Sequence, residues 1–283
     1  MNVFAKIYPI IFCVLIILVS CRKPYSRTNN SIPSTNRNVE THVILETESE
    51  NVESAHNDID DMLMPTMKST NGIVLHRIAY VTSYNKTTLL PNWVAWCLTA
   101  EHSDGDCPRI NKYFEDEEVP FPKATNEDYK GSGWSRGHMC PAGDNKWDSD
   151  AMRESNLLTN MCPQHASLNS GLWNVIERDC RKWAKAYGEL YIVCGPVLLN
   201  REHETIGMNN VVVPEAFFKV ILRLSPEPAA IGFVVRNNEG KNKKDQFINT
   251  VDDVERITGM DFFPALPDSI ENIVEAYANL NDW

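Results

Sequence analysis

From about Gly72 onward, segments of strand texture and helix texture follow one another in no regular order, and this constrains the fold more than any other feature. Residues 73–81 and 93–98 are rich in β-branched and aromatic side chains and read as strands. Residues 170–187 place Leu172, Trp173, Ile176, Cys180, Trp183 and Ala184 near helical spacing. Residues 190–193, 210–213, 217–224 and 230–235 read as further strands, and 251–258 and 269–280 as late helices. A doubly wound parallel sheet needs strands and helices in alternation, so the expected class is mixed α+β.

The first seventy residues have a different texture. Lys6 precedes an apolar run over 7–19 that ends in Leu18-Val19-Ser20-Cys21. The run is short against the roughly 20 residues of a membrane span. A basic start, an apolar stretch and a small-residue ending read as an export signal, with Cys21 as the lipid-carrying residue. The alternative is an ordinary signal peptide with an incidental Cys. The next stretch is rich in Ser, Thr, Asn and Glu, and such a composition buries too little surface to offset its ordering entropy. The expected organisation is therefore a lipoprotein signal peptide over 1–20, a flexible tether over 21–71 and one folded domain over 72–283. The expected location is the bacterial cell envelope, as an exported lipoprotein held to the membrane through Cys21.

Beyond Cys13 and Cys21, six cysteines remain: Cys97, Cys107, Cys140, Cys162, Cys180 and Cys194. In an oxidising compartment an even number predicts disulfides, with Cys97–Cys107 closing a short loop. Buried free thiols are the competing expectation. The net charge of −11 weighs against a nucleic-acid partner. That charge is uneven, however. Residues 130–185 hold eight Lys and Arg against six Asp and Glu, which allows a slightly basic cleft on an acidic protein.

The densest chemistry lies in Ser135-Arg136-Gly137-His138, followed by Met139 to Asp144. A histidine titrates near neutrality and takes a proton from water, and an adjacent arginine offsets phosphate charge. Alone, a His beside an Arg is more often structural. A second segment runs from Thr159-Asn160 to Pro163-Gln164, then Asn169, Trp173, Glu177 and Arg181 at intervals of four. Those four share one slowly drifting side of a helix. The amide oxygen of Asn169 suits a hard ion such as Mg²⁺, and Glu177 is placed to hydrogen-bond its waters. The bland alternative makes Asn169 an N-cap, Trp173 core and Glu177–Arg181 a surface pair. A zinc site built from His138, Cys140, Cys162 and His165 is a further rival, although its spacings fit no standard zinc arrangement.

Together these segments resemble the DNA/RNA non-specific endonuclease family, over roughly residues 73–263. Arg136-Gly137-His138 matches the family's core. Asn160 to Gln164 matches its second element, and Asn169, Trp173, Glu177 and Arg181 its third. Arg109 with Phe114 and Asp116 is similar to the family's substrate-binding Arg region, and Cys194-Gly195-Pro196, Val213-Pro214 and Phe218-Lys219 also fit. The resemblance implies a ββα-metal (His-Me finger) fold, with a mostly antiparallel central sheet flanked by helices. It implies a metal-dependent endonuclease that hydrolyses DNA and RNA without sequence preference. His138 would be the general base, Asn169 the ligand of Mg²⁺ (or Mn²⁺), and Glu177 the residue ordering the metal's waters. Arg109, Arg136 and Arg181 would contact phosphate, and Asn160 would position the site. A non-catalytic nucleic-acid-binding lipoprotein on the same scaffold is the alternative. The family core often begins with Asp, where this chain has Ser135.

Overall fold

The computed structural model describes residues 64–67, 71–199, 202–238 and 243–283. The expected signal segment, Cys21 and nearly all of the expected tether lie outside the described residues.

A seven-stranded antiparallel sheet forms the centre, in the order β12-β11-β10-β7-β4-β3-β2. Its strands are β2 (Ile73–His76), β3 (Val81–Asn85), β4 (Leu90–Thr99), β7 (Glu189–Val197), β10 (Ala216–Arg223), β11 (Ala229–Arg236) and β12 (Ile248–Asn249). Three two-stranded ribbons surround it. These pair β5 (Ser135–His138) with β6 (Met161–Gln164), β8 (Thr205–Ile206) with β9 (Val211–Val212), and β1 (Thr66–Met67) with β13 (Met260–Asp261). The helices are α1 (Asn126–Tyr129), α2 (Ser149–Ser155), α3 (Ala166–Leu168), α4 (Asn174–Tyr187), α5 (Val251–Thr258) and α6 (Asp268–Val274). The α+β class with a central antiparallel sheet is thus as expected.

The sheet is covered on both faces, and its strands alternate accordingly. Val94, Trp96, Ile192, Cys194, Phe217 and Ile221 point toward Trp173, Ile176, Cys180 and Ala184, the inner side of the α4 region. Trp93, Ala95, Val193, Phe218 and Val220 point the other way, toward Val251, Val254, Phe262, Phe263 and Val274.

Several expected elements changed. The strand over 73–81 is a hairpin, because Arg77 N–H donates to Tyr80 O at 2.8 Å. Arg77 is held there by Asp116 at 2.7 Å and Glu118 at 2.6 Å. The last helix ends at Val274 instead of continuing to 280, and Trp283 packs tilted against Trp183 and edge-on to Tyr187. That tertiary contact overrides the helical pattern. Thr66–Met67 pairs with β13 although it falls in the stretch read as tether. Cys107, Cys140, Cys162, Cys180 and Cys194 are free thiols, so the Cys97–Cys107 bond is not formed. Cys140, Cys162, Cys180 and Cys194 are core side chains on different elements.

Candidate active site

His138 ends β5, and β6 returns antiparallel beside it, with His138 opposite Met161 and Ser135 opposite Gln164. The chain then turns through α3 and a wide helical turn, Asn169–Trp173, into α4. This is a ββα unit. The ribbon is tight because residue 137 is glycine: a Cβ there would meet the Gln164 Oε1 at 2.3 Å. The wide turn breaks regular geometry at Gly171 (φ −100°, ψ −111°), and such π-type turns gather at functional sites. It carries Asn169, half-buried, at the first position of the turn and brings Glu177 one helical turn beyond Trp173.

The imidazole of His138 is 7% exposed and its Nε2 lies 2.9 Å from Asn156 Oδ1. Asn156 caps α2, and its Nδ2 donates to Met152 O and Ile110 O. Its Oδ1 is therefore turned to the ring and accepts from Nε2–H, which leaves Nδ1 as the basic nitrogen. Burial lowers the His138 pKa to about 4; the Asn156 hydrogen bond opposes this, and the charge of Arg109 adds to it. At neutral pH the ring is a neutral acceptor. Arg109 is exposed, and its charge also acts on Glu177. The segment 109–116 reaches this place because Phe114 N–H donates to Asn156 O and Leu158 N–H to Phe114 O.

Burial raises the Glu177 carboxyl to about 7, opposed chiefly by Lys219. Lys219 projects from the middle of β10 and is fully buried. Its ammonium lies over the rings of Trp96 at 4.7 Å and Trp173 at 5.0 Å. Burial pulls its pKa down, but Cys194, Cys180, Glu177 and Asp144 outweigh that and keep it charged.

Other expected site residues are engaged within the protein. Asn160 Nδ2 donates to Cys140 O and Ser155 O, and its Oδ1 accepts from Cys140 N–H at 2.9 Å. It braces the chain directly after His138 and contacts no solvent. The Arg181 Nη1 is held by Asp144 at 2.6 Å, and Asp144 also accepts from the Trp96 indole. Arg136 is sandwiched between the Tyr113 and Tyr129 rings at 5.0 and 4.9 Å, with Nη2 donating to Asn126 O. Asp116 is a buried partner of Arg77 and Thr159. The four residues of the zinc rival do not converge. Among the described residues, the one His/Cys/Asp/Glu group close enough to share an ion is Asp252, Glu255 and Glu275.

Asn156 and Lys219 were not singled out for these roles by the sequence. Asn156 lies eighteen residues from His138, outside both motifs. A signal for Lys219 did exist: a lone cation inside the apolar run of β10 must be buried, and a buried cation needs a purpose.

Comparison with known proteins decides the family. The profile of the DNA/RNA non-specific endonuclease family matches residues 60–269. The chain belongs to that family. Similar members include the mitochondrial nuclease EXOG of Mus musculus, 39% identical over 69% of this chain and 58% of that protein. Mitochondrial endonuclease G of Homo sapiens is 33% identical over 66% of this chain and 68% of that protein. Nuclease C1 of Cunninghamella echinulata var. echinulata is 34% identical over 68% of this chain and 83% of that protein. The chain thus spans 58% of the length of the murine EXOG that it matches. Among solved structures, the EndoG/EndoGI complex matches with a TM-score of 0.68 and 29% identity, over 75% of this chain and 94% of that one.

These relatives correct one expectation. The chain was read as an exported bacterial lipoprotein of the cell envelope, whereas the EXOG and endonuclease G relatives and a yeast relative are mitochondrial nucleases. The envelope assignment rested only on hydrophobicity and charge near the N-terminus. Those properties are shared by segments with different destinations.

Proposed function

We propose that this chain is a metal-dependent endonuclease that hydrolyses phosphodiester bonds in DNA and RNA without sequence preference, through one nuclease domain over 72–283. Membership of the family supports the reaction class. The single observation that carries the mechanism is the neutral His138, buried at the end of β5 with Nε2–H held by Asn156 and Nδ1 left as a base. Nδ1 takes a proton from a water whose oxygen bonds to phosphorus, and a bridging P–O bond breaks as its electrons pass to the leaving oxygen. Arg109, exposed beside His138 and Glu177, is the cation placed to meet the phosphate. Arg136, Arg181 and Asn160 act by holding the ribbon, α4 and the loop after His138.

The donor set fits a hydrated Mg²⁺ (or Mn²⁺). Asn169 offers one neutral oxygen, and no hydrogen bond from the described residues ties the Glu177 carboxylate, so it is available to waters of the ion. When bound there, the ion would offset charge on the phosphorane and the leaving oxygen. Contacts aimed at phosphate carry little base information, which is why broad specificity follows. Digestion of double-stranded DNA, single-stranded DNA and RNA with Mg²⁺ and with EDTA tests this. Cleavage is expected with the ion and none with the chelator. Binding without cleavage under every divalent ion would replace the enzyme by a binding module.

A further inference from the structure

The face of the sheet away from His138 carries a cluster that the proposed reaction does not use. Asp252 and Glu255 lie on the first turns of α5, and Glu275 caps α6. One ligand oxygen from each lies within 4.8 Å of the others. Asp252 is exposed and Glu255 half-buried, so one side of the cluster opens to solvent. Glu275 is 5% exposed, and its Oε1 meets no hydrogen-bond donor. The backbone fixes this approach, since Asp252 N–H donates to Glu275 O at 3.2 Å. Glu255 keeps one oxygen for Phe262 N–H at 2.8 Å, which orients the carboxylate and leaves its second oxygen free.

The charges that act most strongly on Glu275 are of one sign. Burial first, then Glu255, Glu271, Asp252 and Asp261, push its carboxyl up to about 8. The nearest arginine on α5, Arg256, is turned to Asp253 instead. A buried carboxylate with an unpaired oxygen is costly unless a cation or a proton answers it. Three carboxylates with an opening to water provide hard oxygen donors and leave room for the waters that complete six- to eightfold coordination.

We propose that Asp252, Glu255 and Glu275 form a structural divalent-cation site of the Ca²⁺ type, which clasps α6 to α5 across the closed face of the sheet. The site lies on the opposite sheet face from His138 and does not depend on the catalytic assignment. Its occupant is a bare ion with its waters, because the donors are all carboxylate.

The test is calorimetric titration of CaCl₂ into chelator-treated full-length protein carrying Asn169→Ala, so that the proposed catalytic ion does not contribute. One ion per chain is expected. Thermal unfolding is expected to rise by about 5 °C at a hundredfold excess over Kd. Adding Glu275→Gln should abolish both signals. Adding Asp252→Asn at the exposed position should weaken binding about tenfold or more, and that variant decides the matter if Glu275→Gln fails to fold. The absence of Ca²⁺ binding in the Asn169→Ala protein would mean the cluster is answered by a proton, and would overturn the proposal. So would binding that survives unchanged in both carboxylate variants.

Discussion

The two faces of the central sheet bury different kinds of side chain. The face under α4 holds Lys219 from the sheet and, in the elements covering it, His138, Asp144, Asn160 and Gln164. The face under α5 is filled by Val251, Val254, Phe262, Phe263 and Leu266, with Glu275 as its buried acid. Polar burial is expensive and is retained where it organises something. One face is therefore a hydrogen-bonded support for His138 and Glu177, and the other is the packing that holds the sheet. The same strands serve both, since alternation sends Phe217, Lys219 and Ile221 one way and Phe218, Val220 and Leu222 the other.

The sharpest test of this division is His138→Ala. Removing a general base is expected to lower kcat by about 10²–10⁴-fold, with the thermal midpoint little changed. Unaltered plasmid cleavage would end the base assignment. The matching change on the other face is Phe262→Ala, which empties a fully buried position against Phe218. It should cost about 3–5 kcal/mol in denaturant unfolding while kcat per folded molecule stays the same. A comparable loss of kcat would show that the faces are not separable.

Smaller effects probe the wiring. Glu177→Gln should raise the Mg²⁺ concentration for half-maximal rate by about 10–100-fold. An unchanged metal dependence would remove Glu177 from the ion's surroundings. Lys219→Met keeps the packing between Trp96 and Trp173 but removes the charge. It should reduce kcat by about tenfold with KM nearly constant, as when an interaction made only in the transition state is lost. A pure fall in stability would make Lys219 structural.

The smallest effect concerns pH. The folded pKa of His138 is lowered to about 4 from the ordinary 6.5. The unfolded chain therefore binds more protons between these values. The stabilising contribution of neutral His138 is full above 6.5 and fades as pH falls toward about 4. In activity, Glu177, raised to about 7, sets the acid limb of kcat/KM in the wild type, and Glu177→Gln should move that limb below the ordinary imidazole value, where His138 titrates. A limb that stays at or above 6.5 in Glu177→Gln would contradict the buried, Asn156-held ring.

Much of the site was legible because its residues are close in sequence or share a helix. Arg136-Gly137-His138 is contiguous, and Trp173, Glu177 and Arg181 recur at helical spacing, so local geometry alone puts each set together. The helix Val251–Thr258 was legible from its local pattern, and in the structure Thr250 caps it and Gly259 at φ 72° stops it. The hairpin at Arg77–Tyr80 was not, because no Gly, Pro, Asn or Asp marks a turn there and Arg77 is held by Asp116 and Glu118 from a distant segment. The late helix was overread for a similar reason, with Trp283 drawn to Trp183.

By itself, the sequence determined the α+β class and the family, and it singled out the side chains proposed for acid–base and metal-binding chemistry, since periodicity and short motifs are local properties. Only the tertiary structure decided what each group touches. It turned Asn156 onto His138 and so chose the basic nitrogen, gave Arg181 to Asp144 and Asn160 to the backbone of Cys140, and placed Lys219 beneath Glu177. Protonation and partnership depend on burial and on neighbours distant in the chain, and those exist only once the sheet has closed.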